Sequence, residues 1–314
     1  MHTSIIVTGS ISYDTIMDFP SRFIDVIDPN HLDKLNTSFV ANKMEKRFGG
    51  TATNVAYNLS FLCPKKVTIL GAVGKDGTEL LQFYKKHKLS TKHILRDTTL
   101  YSANGTVVTD LDGNQVWNFY YGASEKSSAI SLKPCLDAQS LVVILANHPK
   151  SFLYFQSQAI ALRVDYLYDS GMSLSWLTDA DLKRGVLNAR YVSGNEYEMT
   201  QILKRLNTTA QALVGKGIAL ITTLGASGAR YQDKYALYEI PAFPVKKVAD
   251  PSGGGDAWRA GFLAAIAENR SVVDSVVQAN ALASFAIEVY GAVNHAPTKD
   301  QIRIRINKIK AIGF

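Results

Sequence analysis

The densest chemistry in the chain lies in Asp250-Pro251-Ser252-Gly253-Gly254-Gly255-Asp256-Ala257, which runs into the helical pattern of Trp258-Arg259-Ala260-Gly261-Phe262. Three successive glycines remove every Cβ where a loop enters a helix. Backbone N–H groups can then close on an anion while the helix N-terminus adds positive potential. That pattern suits a phosphate cradle. A carboxylate directly after it can take the proton of a hydroxyl that attacks the phosphate. Taken alone, the string is also a glycine-rich turn with Asp256 as a helix-start carboxylate. It is not a Walker A loop, because no Gly-Lys-Ser/Thr follows, and its glycines do not have the dinucleotide G-x-G-x-x-G spacing.

Four further groups carry weaker signals. In Asn195-Glu196-Tyr197-Glu198 the spacing of three puts Asn195 and Glu198 on one helix face, where both can point at one hydrated cation; Asn195 equally suits a helix cap. Gly49-Gly50-Thr51-Ala52-Thr53-Asn54 sets a loop glycine before a helix with an amide in its first turn. Asp14 closes Gly9-Ser10-Ile11-Ser12-Tyr13-Asp14 after an apolar run, and Thr223-Leu224-Gly225-Ala226-Ser227-Gly228 turns the chain after another.

These residues need a scaffold that brings distant segments together. From about residue 139 onward, short β-rich apolar runs alternate with helical patterns, the mark of βαβ units and a parallel sheet. The expected strands are Ser140 to Ala146, Val164 to Tyr168, Tyr191 to Ser193 and Ile218 to Thr222, with Ile5 to Gly9 and Val67 to Gly71 nearer the start. Ala52, Val55, Ala56, Leu59 and Leu62 recur at helical spacing, which predicts a helix over Thr51 to Leu62 packed on the sheet. Residues 11–48 and 100–121 break the rhythm. The second reads as a hairpin, with Asp112-Gly113 forming a tight turn between Thr106-Val107-Val108-Thr109 and Val116-Trp117-Asn118-Phe119-Tyr120. It is either an ordinary edge hairpin or a lid over a pocket.

Composition bounds the rest. The chain has 314 residues, 46% of them hydrophobic and 19% charged, which fits a folded globular protein with one principal core. The formal charge of +7 is spread over short clusters such as Lys65-Lys66 and Lys246-Lys247, so a field for anionic substrates is favoured over a nucleic-acid surface. Cys63 and Cys135 lack metal or disulfide spacing and read as free thiols. The start from Met1 lacks a basic leader, and no apolar run reaches a membrane span of roughly 18 residues. The expectation is a cytoplasmic protein with neither nucleic-acid nor membrane partners.

In their order and chemistry these motifs resemble the ribokinase-like (PfkB-type) sugar and nucleoside kinases over nearly the full length. Asp250 to Asp256 resembles the family's C-terminal signature ending in Gly-Ala-Gly-Asp, with Ser252 where threonine is commoner and Gly254 where alanine is commoner. The resemblance implies an α/β fold with a central, mainly parallel sheet, helices on both faces and a small β lid. Residues 1–10, 49–99 and 122–314 would form the large domain, and 11–48 with 100–121 the lid. It implies Gly253, Gly254 and Gly255 as the anion hole and Asp256 as the base. Asp14, Gly50 and Asn54 would hold substrate hydroxyls, Asn195 and Glu198 magnesium through water, and Thr223, Gly225 and Gly228, with Asn195, the nucleotide. ATP and Mg2+ are the implied cofactors, monovalent-cation activation is left open, and pairing into a homodimer through the lid is implied.

Within the family the chain is most similar to the bacterial adenosine kinases. Thr8-Gly9-Ser10-Ile11, Phe19-Pro20-Ser21-Arg22-Phe23 and Leu35-Asn36-Thr37-Ser38-Phe39 resemble their lid region, which adds Ser10 and Ser38 as substrate contacts. Phe119-Tyr120-Tyr121-Gly122-Ala123 resembles the segment that stacks on the nucleobase, which nominates Phe119. Arg259 is similar to an arginine of nucleoside kinases, although an arginine on a helix is commonly a surface cation. Gly105 stands where those kinases carry a second aromatic, and Asp169-Ser170-Gly171-Met172-Ser173 replaces a segment ending in glutamines. The expected activity is ATP-dependent phosphorylation of a nucleoside, adenosine to AMP. The alternatives are a sugar such as ribose or fructose as acceptor, and a ligand-binding relative without turnover.

Overall fold

The structure is a computed structural model that describes residues 2–34 and 36–313; Met1, Leu35 and Phe314 lie outside the described residues. The chain opens with β1 (Ser4–Thr8), β2 (Ser12–Asp18) and β3 (Lys43–Gly49), then α1 (Thr51–Ser60), β4 (Val67–Val73), α2 (Thr78–Lys86) and β5 (Ile94–Arg96). The hairpin strands β6 (Ala103–Thr109) and β7 (Gln115–Tyr120) precede a βα alternation of β8 (Ser140–Ile144), α3 (Pro149–Ala161), β9 (Tyr166–Tyr168), α4 (Asp179–Leu187), β10 (Tyr191–Asn195), α5 (Glu196–Arg205), α6 (Ala210–Gly215) and β11 (Ala219–Thr223). Two edge strands, β12 (Ala229–Gln232) and β13 (Leu237–Ile240), lead to three helices: α7 (Gly254–Ala267), α8 (Val272–Ala286) and α9 (Lys299–Ile312).

Among the described residues the main sheet has the order β13-β12-β11-β10-β9-β8-β1-β4-β5, parallel except at β12 and β13. Strand side chains alternate between faces, so β1 sends Ile5 and Val7 to one core and Ile6 to the other. One core is closed by α1, α2, α7, α8 and α9, the second by α3 to α6. Because β1 lies between β8 and β4, the chain winds outward from it in both directions. Such a reversal opens a crevice at the carboxyl ends of the strands. Gly261 lets α7 and α8 lie close together: a Cβ there would sit 2.7 Å from the Ala279 Cα.

The second sheet runs β3-β2-β6-β7, with β2 and β6 parallel and both outer pairs antiparallel. The tight Asp112-Gly113 turn predicted from the sequence is replaced by a wider connection, since Thr109 pairs with Gln115 and five residues lie between them. Asp110 organises it, accepting from the Asp112 and Asn114 N–H groups at 2.9 and 2.8 Å and from the Phe23 N–H at 3.0 Å. Only Gly113 takes a positive φ, +81°. Phe19, Phe23 and Phe39 pack with ring centroids 5.0–5.9 Å apart and close the stretch between β2 and β3.

Candidate active site

Two helix N-termini converge at the carboxyl edge of the main sheet. Before α7, Gly253 has φ +75°, and a Cβ there would lie 2.4 Å from that of Ala292, so the position is closed to any side chain. Gly254, Gly255 and Asp256 form the first turn of α7, where backbone N–H groups lack intrahelical partners. One of the three glycine amides is turned inward, the Gly254 N–H donating to Pro251 O at 3.2 Å. Before α1, Gly50 has φ +92° and its absent Cβ leaves room for the Ser10 carbonyl. Asn54 in the first turn of α1 then donates from Nδ2 to Asp256 Oδ2 at 2.8 Å, joining residues 202 apart in sequence.

The other oxygen of Asp256 accepts from Arg259 Nη1 at 3.1 Å, and the Nε of Arg259 bonds Asp169, which follows β9. Arg259 is therefore no surface cation; it is buried between two carboxylates. Burial alone would lower its pKa, but Asp169 and Asp256 reverse that and hold it charged. Burial raises Asp256 above the usual carboxylate range, while Arg259 and the Asn54 hydrogen bond pull the other way.

Between the second sheet and the α7 loop lies a cavity of about 780 Å³. Asp14, Ile16 and Asp18 of β2, Arg47 of β3, Trp117 of β7, Asn54, and the loop residues Asp250 to Gly253 are among its walls. Register explains this face. Asp14 pairs with Arg47 on one side and Gly105 on the other, and Gly105 pairs with Phe119. A Cβ at Gly105 would lie 3.1 Å from Asp14 Oδ1 and 3.4 Å from Phe119 Cδ2. Burial, aided by the charge of Asp256 and opposed by Arg47, pushes the Asp14 carboxyl up to about 6.

At the end of β10, Asn195 and Glu198 form a capping box. The Asn195 side chain accepts from the Glu198 N–H, and the Glu198 carboxylate from the Asn195 N–H, each at 2.8 Å. Burial, with the charges of Asp169 and Asp256, raises the Glu198 carboxyl. The Glu198 carboxylate and the Asn195 amide, both at the start of α5, are oxygen donors of the type that fits a hydrated divalent cation. No group of three His, Cys, Asp or Glu side chains among the described residues is arranged to hold a metal directly. Thr223 lies beside Asn195 in the parallel register of β10 and β11. The turn beyond it needs glycine at Gly228 (φ +100°), where a Cβ would strike the Ile240 carbonyl; Gly225 also has positive φ, +57°.

Residues 4–299 match the model of the pfkB family carbohydrate kinases. The chain belongs to that family. Its relatives include a nucleoside kinase of Methanocaldococcus jannaschii, 26% identical over 87% of this chain and 90% of the relative, and a ribokinase of Lactococcus lactis, 24% identical over 98% of each. A Burkholderia thailandensis nucleoside kinase solved in complex with inosine superposes with a TM-score of 0.87 at 28% identity and covers 98% of both chains; its complex with ADP-inosine gives 0.85. No helix among the described residues is long and apolar enough to cross a membrane.

Within this pfkB-family architecture the residues singled out in the sequence divide into groups. Asp14, Asn54 and Gly253 line the cavity, and Asp256 is joined to that wall through Asn54. The hydroxyl of Ser10 accepts from the Thr51 N–H at 3.1 Å and fastens the start of α1. Ser38 is exposed in the stretch before β3 and is not among the cavity walls. Phe119 packs edge-on against Tyr121 with centroids 5.0 Å apart, and the wall itself carries Trp117 two residues earlier on the same face. The sequence reading missed Asp169 and Trp117. Trp117 was open to it, since alternation puts 117 and 119 on one face. Asp169 was not, because its partner lies 90 residues away.

Proposed function

We propose that the chain is an ATP-dependent kinase acting on a hydroxyl of a nucleoside, adenosine before others. One observation carries the reading: Asn54, bonded to Asp256, lines the same cavity as Asp14, Gly253 and the ring of Trp117. The Asp14 carboxylate accepts two acceptor hydroxyls, and Asn54 contacts the same sugar. Asp256 takes the proton of the attacking hydroxyl as its oxygen bonds the γ-phosphorus and the bond to the ADP oxygen breaks. Amides of Gly253 and Gly255 hold the transferring group, since this chemistry depends chiefly on positioning and electrostatics. Thr223, Gly225 and Gly228 sit at the nucleotide end. Asn195 and Glu198 would hold magnesium through its waters, and that ion, when bound, neutralises phosphate charge. The Burkholderia complex with ADP-inosine supports both the nucleotide and the nucleoside.

Trp117 and Phe119 favour a base-bearing acceptor, because aromatic faces stack on planar rings. The lack of a second aromatic at Gly105 favours the other reading, a sugar acceptor. A panel of adenosine, inosine, ribose and fructose assayed for ADP release separates them. We expect adenosine to be the best acceptor and Trp117→Ala to raise its KM by about tenfold, from a stacking contribution of roughly 1 kcal/mol or more, with little change in the KM for ATP. Turnover of ribose alone, or equal weakening of both substrates, would sink the nucleoside reading.

Residues 11–48 and 100–121 act as the lid in this proposal, and their outer face supports pairing between two copies. Met44, Met17, Val108 and Val116 are register partners across β3, β2, β6 and β7 and form one apolar row, with Met44 65% exposed. Sedimentation equilibrium should give a dimer that Met44→Glu dissociates. A monomeric wild-type protein at tens of micromolar refutes pairing.

A further inference from the structure

Arg259 and Asp169 have no part in the reaction set out above, yet both are buried, their side chains 14% and 4% exposed. The guanidinium is shared. Its Nε bonds Asp169 and its Nη1 bonds Asp256 Oδ1 at 3.1 Å, so one cation divides its charge between the base and a carboxylate behind it. Two features fix that bridge. The Asp169 N–H donates to the Ile144 carbonyl at 2.9 Å, which pins the residue beyond the end of β8. At Gly255 an added Cβ would lie 3.0 Å from Arg259 Nη1, so glycine at that position leaves the guanidinium room to fold back over the first turn of α7.

We propose that Asp169 is a positioning residue for phosphoryl transfer: by holding Arg259 from behind, it aims the Asp256 carboxylate and keeps the full guanidinium charge off the base. The proposal rests on Asp256 being the base. The charged groups that act on Asp256 are Arg259 from its own helix, Asp14 from β2, Asp169 after β9 and Glu198 from α5. In Asp169→Asn the arginine serves Asp256 alone, the carboxylate is stabilised and the base weakens. In Arg259→Gln the base is left buried among three acids and holds its proton more tightly. The base works deprotonated, so activity falls on the acid side of its pKa. The acid limb of kcat/KM should therefore move in opposite directions in the two variants.

The test is the pH profile of kcat/KM for wild type, Asp169→Asn, Arg259→Gln and Asp169→Glu, with a carboxyl-carbon NMR titration of Asp256 in each. We expect the limb to move down by about one pH unit in Asp169→Asn and up by about one in Arg259→Gln, a tenfold change in relative rate on the acid side each way. Asp169→Glu keeps the charge and should keep the wild-type limb. Limbs that stay put, or that move the same way, overturn the proposal. A merely structural Asp169 would change the melting temperature of its variants without moving the limb. If Asp169→Asn does not fold, Arg259→Gln decides, and an unmoved limb there is a refutation. If the wild-type protein phosphorylates none of the acceptors, the kinase reading fails, while the NMR titration still decides whether Asp169 and Arg259 set the proton affinity of Asp256.

Discussion

Asp256→Asn is expected to lower kcat by at least about 100-fold, the lower range for removal of a general base, while the affinity for ATP stays within about twofold. Asparagine has the shape of aspartate and keeps an oxygen that can accept from Asn54 Nδ2, so the 2.8 Å link between α1 and α7 can persist. The guanidinium keeps Asp169 as a buried anionic partner, so the substitution does not strand a lone charge. What is lost is the group that accepts the proton as the hydroxyl becomes a nucleophile. Steady-state ADP release gives kcat, and calorimetric titration with a non-hydrolysable ATP analogue gives the nucleotide affinity. Near-normal turnover would remove Asp256 from the mechanism. Loss of nucleotide binding in parallel with kcat would make it a structural residue of the anion hole.

The parts of this site that the sequence disclosed are those whose signal is local. The alternation of Ile5, Ile6 and Val7 specifies a strand buried on both faces, and the recurrence of Ala52, Val55, Ala56 and Leu59 specifies the face of α1 that meets the core. Gly253, Gly254 and Gly255 mark a crowded helix start, where a Cβ would lie 2.4 Å from Ala292, 2.9 Å from Ile287 and 3.0 Å from Arg259 in turn, and Gly253 alone of the three also has a positive φ. Partnerships across the fold were hidden. Arg259 stands on a helix like any surface arginine until β9 brings Asp169 beneath it. Asp110 stands in the hairpin like any turn residue, yet its carboxylate replaces the tight turn with a wider one. For Asn195 the two local readings, cap and cation ligand, are compatible: the capping box fixes Glu198 through one carboxylate oxygen, Oε2.

The other large effect belongs to Asp14. Asp14→Asn should reduce kcat/KM for the acceptor by at least about 100-fold, because two hydrogen bonds to a charged group are worth roughly 1.5–3 kcal/mol each. The same change should stabilise the free protein at alkaline pH. The carboxyl is raised from the usual 3.8 to about 6, so the folded state holds this proton more tightly than the unfolded chain. Wild-type stability therefore declines as pH rises from about 4 to about 6 and is level above that, whereas asparagine pays no such ionisation cost. A shift of about two units corresponds to roughly 3 kcal/mol at most, so at pH 8 the variant should melt several degrees above wild type, with the gap closing near pH 4. Acceptor binding carries the opposite sign. Wild-type affinity should weaken about tenfold per unit below pH 6 as the carboxylate takes up its proton, and the variant should be weak and flat across that range. Thermal melts at pH 4 and pH 8, together with acceptor KM from pH 5 to pH 8, measure both. A variant that loses acceptor affinity without gaining alkaline stability would show that Asp14 is not held strained by its burial. One that gains stability while keeping full affinity would show that the acceptor does not bind through it, because a carboxylate kept ionised at a cost to the fold is expected to recover that cost in the substrate it holds.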